Sequence, residues 1–383
     1  MSGRADRSAT GPGSGSTGPD AGLSELASIK PPAPPAPATE RGRLSPRDPA
    51  VVEAIDALIG AVGGDPQRIT GSLAREMVQT ALALLRDGPD PGEAKLIARS
   101  LRELRYALKL FRPYRDVRKV SIFGSARTPQ GHPDYRCAVD FARELAAHRW
   151  MVITGAGDGI MRAGHEGAGT EASFGVSIRL PFETNANDII RGSPRLATFR
   201  YFFTRKLMFV WQAHALGLLP GGFGTLDECF EVLTLVQTGK APMIPVVMLA
   251  PPGNDCWHQF DRYIREQLLA QGMISPDDLS LYHIFDDPAA AAAHILTFYR
   301  NYHSERMVGD RLALRIRRPL SEAELAAINA EFADLVADGK IEQSGPLEGE
   351  TLYLELPRLS YVSTRRTFGR QRQLIDRING FEA

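Results

Sequence analysis

The sequence predicts an α/β fold: a parallel sheet wrapped by helices on both faces, preceded by a helical extension and followed by a small α+β appendage. Three observations predict it. Between residues 117 and 304, short apolar runs alternate with helical patterns, as strand–helix–strand units do. Those runs are mostly apolar without a polar face, as strands buried on both sides are. Three of them end in glycine-bearing turns, at the sheet edge where an open parallel sheet holds its ligands.

Taken in order, residues 1–46 are rich in Gly, Pro, Ser and Ala and include Pro31-Pro32-Ala33-Pro34-Pro35-Ala36-Pro37. Such a stretch buries too little apolar surface to order itself, so a disordered, solubilising tail is expected. Residues 47–116 read as helices. Val51, Val52, Ile55, Leu58 and Ile59 recur at helical spacing, as do Leu96, Ile97, Leu101, Leu104, Leu108 and Leu110. Gly63-Gly64-Asp65-Pro66 and Asp87-Gly88-Pro89-Asp90-Pro91 punctuate them. The basic residues of the last helix (Arg99, Arg102, Arg105, Lys109, Arg112) read as a solvated face rather than a phosphate patch.

Within 117–304, strands are expected at Val120–Phe123, Trp150–Thr154, Phe174–Leu180, Ala213–Leu219 and Ile244–Leu249, with helices such as Asp134–Ala147 and Thr225–Val236 between them. That order describes a doubly wound, Rossmann-like sheet. Residues 305–383 change style. Leu312–Arg317 and Leu352–Leu356 read as strands, and Ser321–Val336 and Arg365–Asn379 as helices, the first of them opening on Ser321-Glu322-Ala323-Glu324.

The bulk numbers narrow the function class. Lys+Arg and Asp+Glu are both 45 in 383 residues, so the formal net charge is zero. A nucleic-acid binder usually shows a basic domain, and none is evident. There is no apolar run of the roughly 18 residues that a membrane span needs, and no apolar signal-peptide core. Cys137, Cys229 and Cys256 are too few and too scattered for a disulfide framework or a metal knuckle. A reducing, cytoplasmic setting is expected.

The three turns are Phe123-Gly124-Ser125-Ala126-Arg127, Thr154-Gly155-Ala156-Gly157-Asp158-Gly159 and Pro220-Gly221-Gly222-Phe223-Gly224-Thr225-Leu226-Asp227-Glu228. The last runs strand, glycine loop, helix start, an order that lets backbone N–H groups approach an anion beside a helix N-terminus. Glycine also serves wherever a helix packs tightly after a strand, but three such turns on one sheet edge favour a ligand site. The second turn offers G-x-G-x-G rather than G-x-G-x-x-G, and no fitting acid follows at the required distance. A mononucleotide therefore suits the site better than a dinucleotide, with Phe223 and Met161 as candidates for contacting the base or simply packing in the core.

Upstream, Arg205 and Lys206 sit in the otherwise apolar segment Arg200–Met208. They read either as surface cations whose stems cover the core or, beside glycine turns, as a bidentate anion grip. Glu228 also has two readings. Thr225-Leu226-Asp227-Glu228 fits a capping box, and an ionised carboxylate in the first turn suits holding a ribose or steadying positive charge at a sugar carbon. Glu231, one turn on, shares its face.

On these residues the chain resembles the LONELY GUY (LOG) family, long labelled "lysine decarboxylase-like". The hallmark is Pro-Gly-Gly-x-Gly-Thr-x-x-Glu, here Pro220–Glu228, preceded by the pair Arg205-Lys206. The resemblance covers about residues 118–300, including the Gly124-Ser125 turn. It implies a cytoplasmic, Rossmann-like homodimer or larger homo-oligomer that hydrolyses the N-glycosidic bond of nucleoside 5′-monophosphates, AMP-like or cytokinin-like, to free base and ribose 5-phosphate. It implies that Arg205 and Glu228 are the catalytic pair. It further implies that Gly124, Ser125, Gly155, Gly157, Lys206, Gly221, Gly222, Phe223, Gly224, Thr225, Leu226, Asp227 and Thr234 line the nucleotide site, with Glu183 a weaker member.

Two departures stand out. The family's triple-glycine second loop is here Gly155-Ala156-Gly157, and the helical leader and appendage exceed the compact plant type, like a longer bacterial branch. The expected chemistry calls for no metal and no organic cofactor, and no nucleic-acid or membrane partner. Lysine decarboxylation would require a pyridoxal phosphate lysine and a pyridinium partner, which no lysine here suggests. The rival reading is a nucleotide sensor or a molybdenum-cofactor carrier of the same fold, without turnover.

Overall fold

The computed structural model describes residues 44–180 and 186–381. The expected disordered tail falls, up to residue 43, outside the described residues, as does Glu183. The chain divides at Gly92 into two compact units.

The first unit contains helices α1 (Pro49–Ala61) and α2 (Ile69–Asp87). Proline at the start of α1 costs nothing because its missing N–H would be unpaired there. α2 stops at Gly88, whose φ of 70° is the left-handed conformation that glycine tolerates best. Arg75 grips Asp56 with two hydrogen bonds of 2.6 and 2.8 Å and ties the two helices together.

The second unit begins at Glu93, near the start of α3 (Pro91–Phe111). There follow β1 (Lys119–Phe123), α4 (Pro133–Ala147), β2 (Met151–Thr154), α5 (Ile160–Ala168), β3 (Ser173–Ile178) and β4 (Leu196–Phe199). Next come α6 (Phe202–Gln212), β5 (Ala215–Leu218), α7 (Phe223–Gln237), β6 (Val246–Leu249), α8 (Cys256–Tyr263), β7 (Tyr282–Phe285) and α9 (Pro288–Phe298). The seven strands form one wholly parallel sheet in the order β4-β3-β2-β1-β5-β6-β7. This is the Rossmann-like α/β architecture expected.

The central strands β1, β2, β5 and β6 are buried at every position, which is why their sequences read as unbroken apolar runs. The two strands missed, β4 and β7, are the outermost. Each has only four residues, and both are partly exposed, so no apolar run marks them. Phe111 stacks on Phe174 at 4.3 Å, and Phe123 meets Phe209 edge-on at 4.7 Å. These contacts fix α3 and α6 against the sheet.

Past α9 the chain builds an antiparallel four-stranded sheet in the order β10-β11-β9-β8, from β8 (Tyr302–Val308), β9 (Arg311–Ile316), β10 (Val336–Ser344) and β11 (Arg358–Ser363). Helices α10 (Glu322–Glu331) and α11 (Phe368–Gly380) accompany it. α10 opens with the capping box its sequence announced: Ser321 and Glu324 satisfy each other's backbone N–H groups.

The expected strand Leu352–Leu356 is instead a turn. Tyr353 has a φ of 54°, and the Leu356 N–H donates to the Tyr353 carbonyl. The alternation of Leu352, Leu354 and Leu356 does not mark a buried face, since Leu352 and Leu354 are exposed. The ladder with β9 is taken by Arg358–Val362. There Leu359 and Tyr361 are buried, and the Arg358 guanidinium is paired with Glu350.

Candidate functional site

β1 and β5 are neighbours, with β2 to β4 on one side and β6 and β7 on the other. This is the topological switch point, where chains leaving adjacent strands diverge and open a crevice. A cavity of about 790 Å³ lies there. It is lined by the turn after β1, by Gly155 and Met161, by Phe202 and Arg205 of α6, and by the whole run Gly221–Glu228.

The turns after β1 and β5 are stitched together, since the Ser125 N–H donates to the Pro220 carbonyl at 3.1 Å. That closeness demands glycine at position 221, where a Cβ would lie 2.9 Å from the Ser125 nitrogen and closer still to the Thr225 hydroxyl. Gly222 is the opposite case. It lines the cavity, and a Cβ there would meet nothing within 4 Å.

Helix α7 starts earlier than the sequence implied. Its N-cap is Gly222, not Thr225, and no side chain caps it. Thr225 lies inside the first turn, and the Thr225 and Leu226 N–H groups return to the Gly222 carbonyl at 3.0 and 3.2 Å. The capping-box reading of Thr225 and Glu228 is therefore wrong. Glycine at the cap leaves the Phe223 and Gly224 amides without an acceptor among the described residues. Unpaired first-turn amides are what a helix offers an anion.

With the helix begun at Phe223, Glu228 falls in the second turn and is 8% exposed. Burial raises its carboxyl pKa, Lys206 and Arg205 pull it back, and the net shift is upward. The sequence had led us to expect a helix terminus that favours the ionised form. Burial outweighs it because Glu228 is one turn too deep for the terminal amides. A carboxylate with a raised pKa is a better proton acceptor near neutral pH than an exposed one.

Arg205 reaches into the cleft from its place on α6. Its Nε donates to the Val176 carbonyl at 2.8 Å. Its Nη2 lies so near Gly155 that a Cβ there would come within 2.3 Å of it. Gly155 is thus the space that Arg205 occupies. Lys206 does not line the cavity. It pairs with Asp227 at 2.5 Å and Glu231 at 3.4 Å, so it braces α6 against α7. Burial lowers the Lys206 pKa, but these carboxylates and Glu228 outweigh it and the net shift is upward.

The second turn is held by a buried network that sequence reasoning missed. Ala156 is buried with a φ of 63°. Its N–H donates to the Thr154 hydroxyl at 3.1 Å, and its carbonyl accepts from the Asn187 N–H at 2.8 Å. Asn187 Nδ2 donates to the Gly157 carbonyl at 2.9 Å and lies 3.1 Å from His165 Nδ1. His165 Nε2 in turn reaches the Phe174 carbonyl and the Thr154 hydroxyl. Those partners fit a neutral ring with its proton on Nε2, and burial lowers the His165 pKa accordingly. His165 and Asn187 carried no motif in the sequence, because their role exists only through the loop they pin.

The structure thus brings Gly124, Ser125, Gly155, Arg205 and all of Gly221–Glu228 to one cavity. Gly157 lines an adjoining one. Thr234 is exposed further along α7 and lines neither. Phe123, Ala126, Arg127 and Phe202 are additions. Among the described residues no helix is long and apolar enough to cross a membrane.

Fold and cleft define a parallel α/β protein with an open glycine turn at its switch point, faced by an arginine and a buried carboxylate. Residues 155–295 match the family described as "Possible lysine decarboxylase", and that match supports a LOG-like family assignment for this domain. Comparison with curated proteins finds no match. Among solved structures, the molybdenum cofactor carrier protein from Chlamydomonas reinhardtii is 19% identical over 47% of this chain and 96% of its own, with a TM-score of 0.34. The molybdenum cofactor binding protein from Rippkaea orientalis is 18% identical over 47% and 94%, at 0.32. DNA processing protein A from Helicobacter pylori is 15% identical over 49% and 83%, at 0.34. None of these likenesses bears on activity.

Proposed function

We propose that the protein hydrolyses the N-glycosidic bond of nucleoside 5′-monophosphates, AMP-like or cytokinin riboside 5′-monophosphates, to free base and ribose 5-phosphate. The observation that carries this is the meeting of Arg205 and Glu228 at the switch-point cleft beside the open Gly222–Gly224 turn. The turn and the α7 terminus receive the 5′-phosphate. Glu228 lies against the pentose and steadies the oxocarbenium-like state as the C1′–N bond breaks; water adds its oxygen to C1′, Glu228 takes the water's proton, and that proton passes on to the departing base nitrogen. Arg205, fixed by the Val176 carbonyl, orients the substrate and offsets negative charge.

Decarboxylation of lysine fits these residues poorly. A Schiff-base lysine must be able to lose its proton, whereas the ion pairs of Lys206 hold its pKa up. Lys119 is buried with its pKa lowered to about 8, but it opens β1, at the end of the strand away from the glycine turns, and donates to the Tyr114 and Val117 carbonyls.

The same reading includes a cytoplasmic homodimer or larger homo-oligomer. Phe203, Leu207 and Trp211 recur every fourth residue on α6 and are all exposed, an apolar stripe of the kind that marks subunit contacts. Incubating the purified protein with AMP, CMP, GMP and a cytokinin riboside monophosphate, then separating the products by chromatography, tests the activity. Free base from at least one is the expected result. Tight binding without any release would make the protein a sensor or carrier instead.

A further inference from the structure

Beyond Arg205 the cleft continues into a second cavity of about 900 Å³, which shares Ala126, Gly155, Met161, Phe202 and Arg205 with the first. Arg179 just past β3, and Arg191 and Arg200 on either side of β4, line it with Arg205. These are four guanidinium groups, and among the described residues no carboxylate lines the cavity. Arg191 and Arg205 spend part of their donors on the Ala186 and Val176 carbonyls. Arg179 and Arg200 also line a smaller cavity with Arg99 and Arg102. Glu103, the one carboxylate that lines it among the described residues, already accepts from the Arg200 N–H at 2.9 Å and the Thr204 hydroxyl at 2.7 Å. The α3 arginines that the sequence presented as a solvated face therefore continue one basic wall.

A guanidinium has donors but no acceptor, so a group that reaches Arg179, Arg191 and Arg200 meets only donors from them. The occupant must therefore present acceptors. An exocyclic amino group would set donor against donor, whereas a carboxylate or ring carbonyl would be gripped, a carboxylate bidentately. Phe202, Ile178 and Leu196 add apolar surface to the same recess, suited to the face of a flat ring. If the phosphate sits at Gly222–Gly224 and the pentose against Glu228 and Arg205, the base extends into this cavity.

Resting on the nucleotide reading above, we propose that the arginine-lined lobe receives the base and selects one with an anionic or acceptor-only edge: a carboxylated or oxo-substituted heterocycle over an amino-substituted one. Uridine 5′-monophosphate and orotidine 5′-monophosphate differ by one carboxylate on the base, so their affinities isolate the effect. Binding is measured by calorimetry on the full chain carrying Glu228→Gln, which suppresses turnover. Orotidine monophosphate should bind on the order of tenfold or more tightly, the worth of a charged hydrogen bond. Adding Arg179→Gln and Arg200→Gln should erase that advantage, weakening orotidine monophosphate about tenfold more than uridine monophosphate, which offers the lobe only neutral ring carbonyls. Equal affinities, or an advantage that survives both arginine substitutions, would overturn the proposal while leaving the nucleotide reading intact. Inorganic pyrophosphate titrated into the same proteins separates the two ideas. If it binds through the two arginines while neither nucleotide binds, the nucleotide reading falls and takes the base assignment with it.

Discussion

Two buried glutamates, one beside each sheet, are treated in opposite ways. Glu350 in the C-terminal module is clamped by Arg315 at 2.6 Å and Arg358 at 2.9 Å and also accepts from the Leu347 N–H. Burial pushes its pKa up, but the Arg358, Leu347 and Arg315 hydrogen bonds outweigh it and bring the carboxyl down to about 2. Glu228 is buried to a similar degree, yet the balance runs the other way and its pKa rises. Its cationic neighbours are committed elsewhere, Arg205 to Val176 and Lys206 to Asp227. A carboxylate with every lone pair answered is structural. One left partly unanswered in a cavity is free to answer a ligand.

The largest expected effect breaks the functional side of that comparison. Glu228→Gln should lower base release by about 10³-fold, within the range for general acid–base groups, without destabilising the fold. The sign follows from its pKa. A carboxyl raised in the folded state contributes stability below the unfolded value of 4.5 and loses it as pH rises through the folded value. At neutral pH the glutamine variant should therefore melt at the same temperature as the parent or higher. A clearly lower melting temperature would mean that Glu228 is a structural anchor after all.

The structural side breaks differently. Glu350→Gln should cost about 3–5 kcal/mol by urea titration, because Arg315 and Arg358 lose the buried carboxylate they share. The pH dependence has the opposite sign to that of Glu228. A carboxyl depressed to about 2 contributes stability above 4.5 that disappears as pH falls toward 2. That contribution is on the order of 3 kcal/mol, so the gap between parent and variant should close across this acid window. A gap that stays constant with pH would remove Glu350 ionisation from the account.

Smaller substitutions sharpen the contrast between an open site and a filled one. Gly222→Ala meets no neighbour and should shift unfolding by less than about 1 kcal/mol, the scale of an N-cap change. It should weaken phosphate-ester binding about tenfold by crowding the anion seat. Unchanged affinity would move the phosphate elsewhere. Smallest of all, Ala156→Gly relieves a left-handed alanine and should stabilise the fold by up to about 1 kcal/mol, measured by denaturant titration. A loss would show that the alanine methyl, 3.1 Å from where a Cβ on Gly175 would sit, earns its place by packing.

The sequence by itself determined the parallel core and the turns at its edge. Strands buried on both faces must be apolar throughout, and the close approach of Gly221 to the Ser125 turn admits no side chain. Both demands act on single positions and leave a mark in the residues. It did not determine the edge strands β4 and β7, which gain their order from pairing with a neighbour. Nor did it determine the true start of α7, the turn at Leu352–Leu356 or the His165–Asn187 brace. Only the tertiary structure decided the charge state toward which Glu228 leans and the gathering of Arg179, Arg191 and Arg200 around one recess. Desolvation and electrostatic fields depend on what is near in space, and residues far apart in the chain carry no local signal of that meeting.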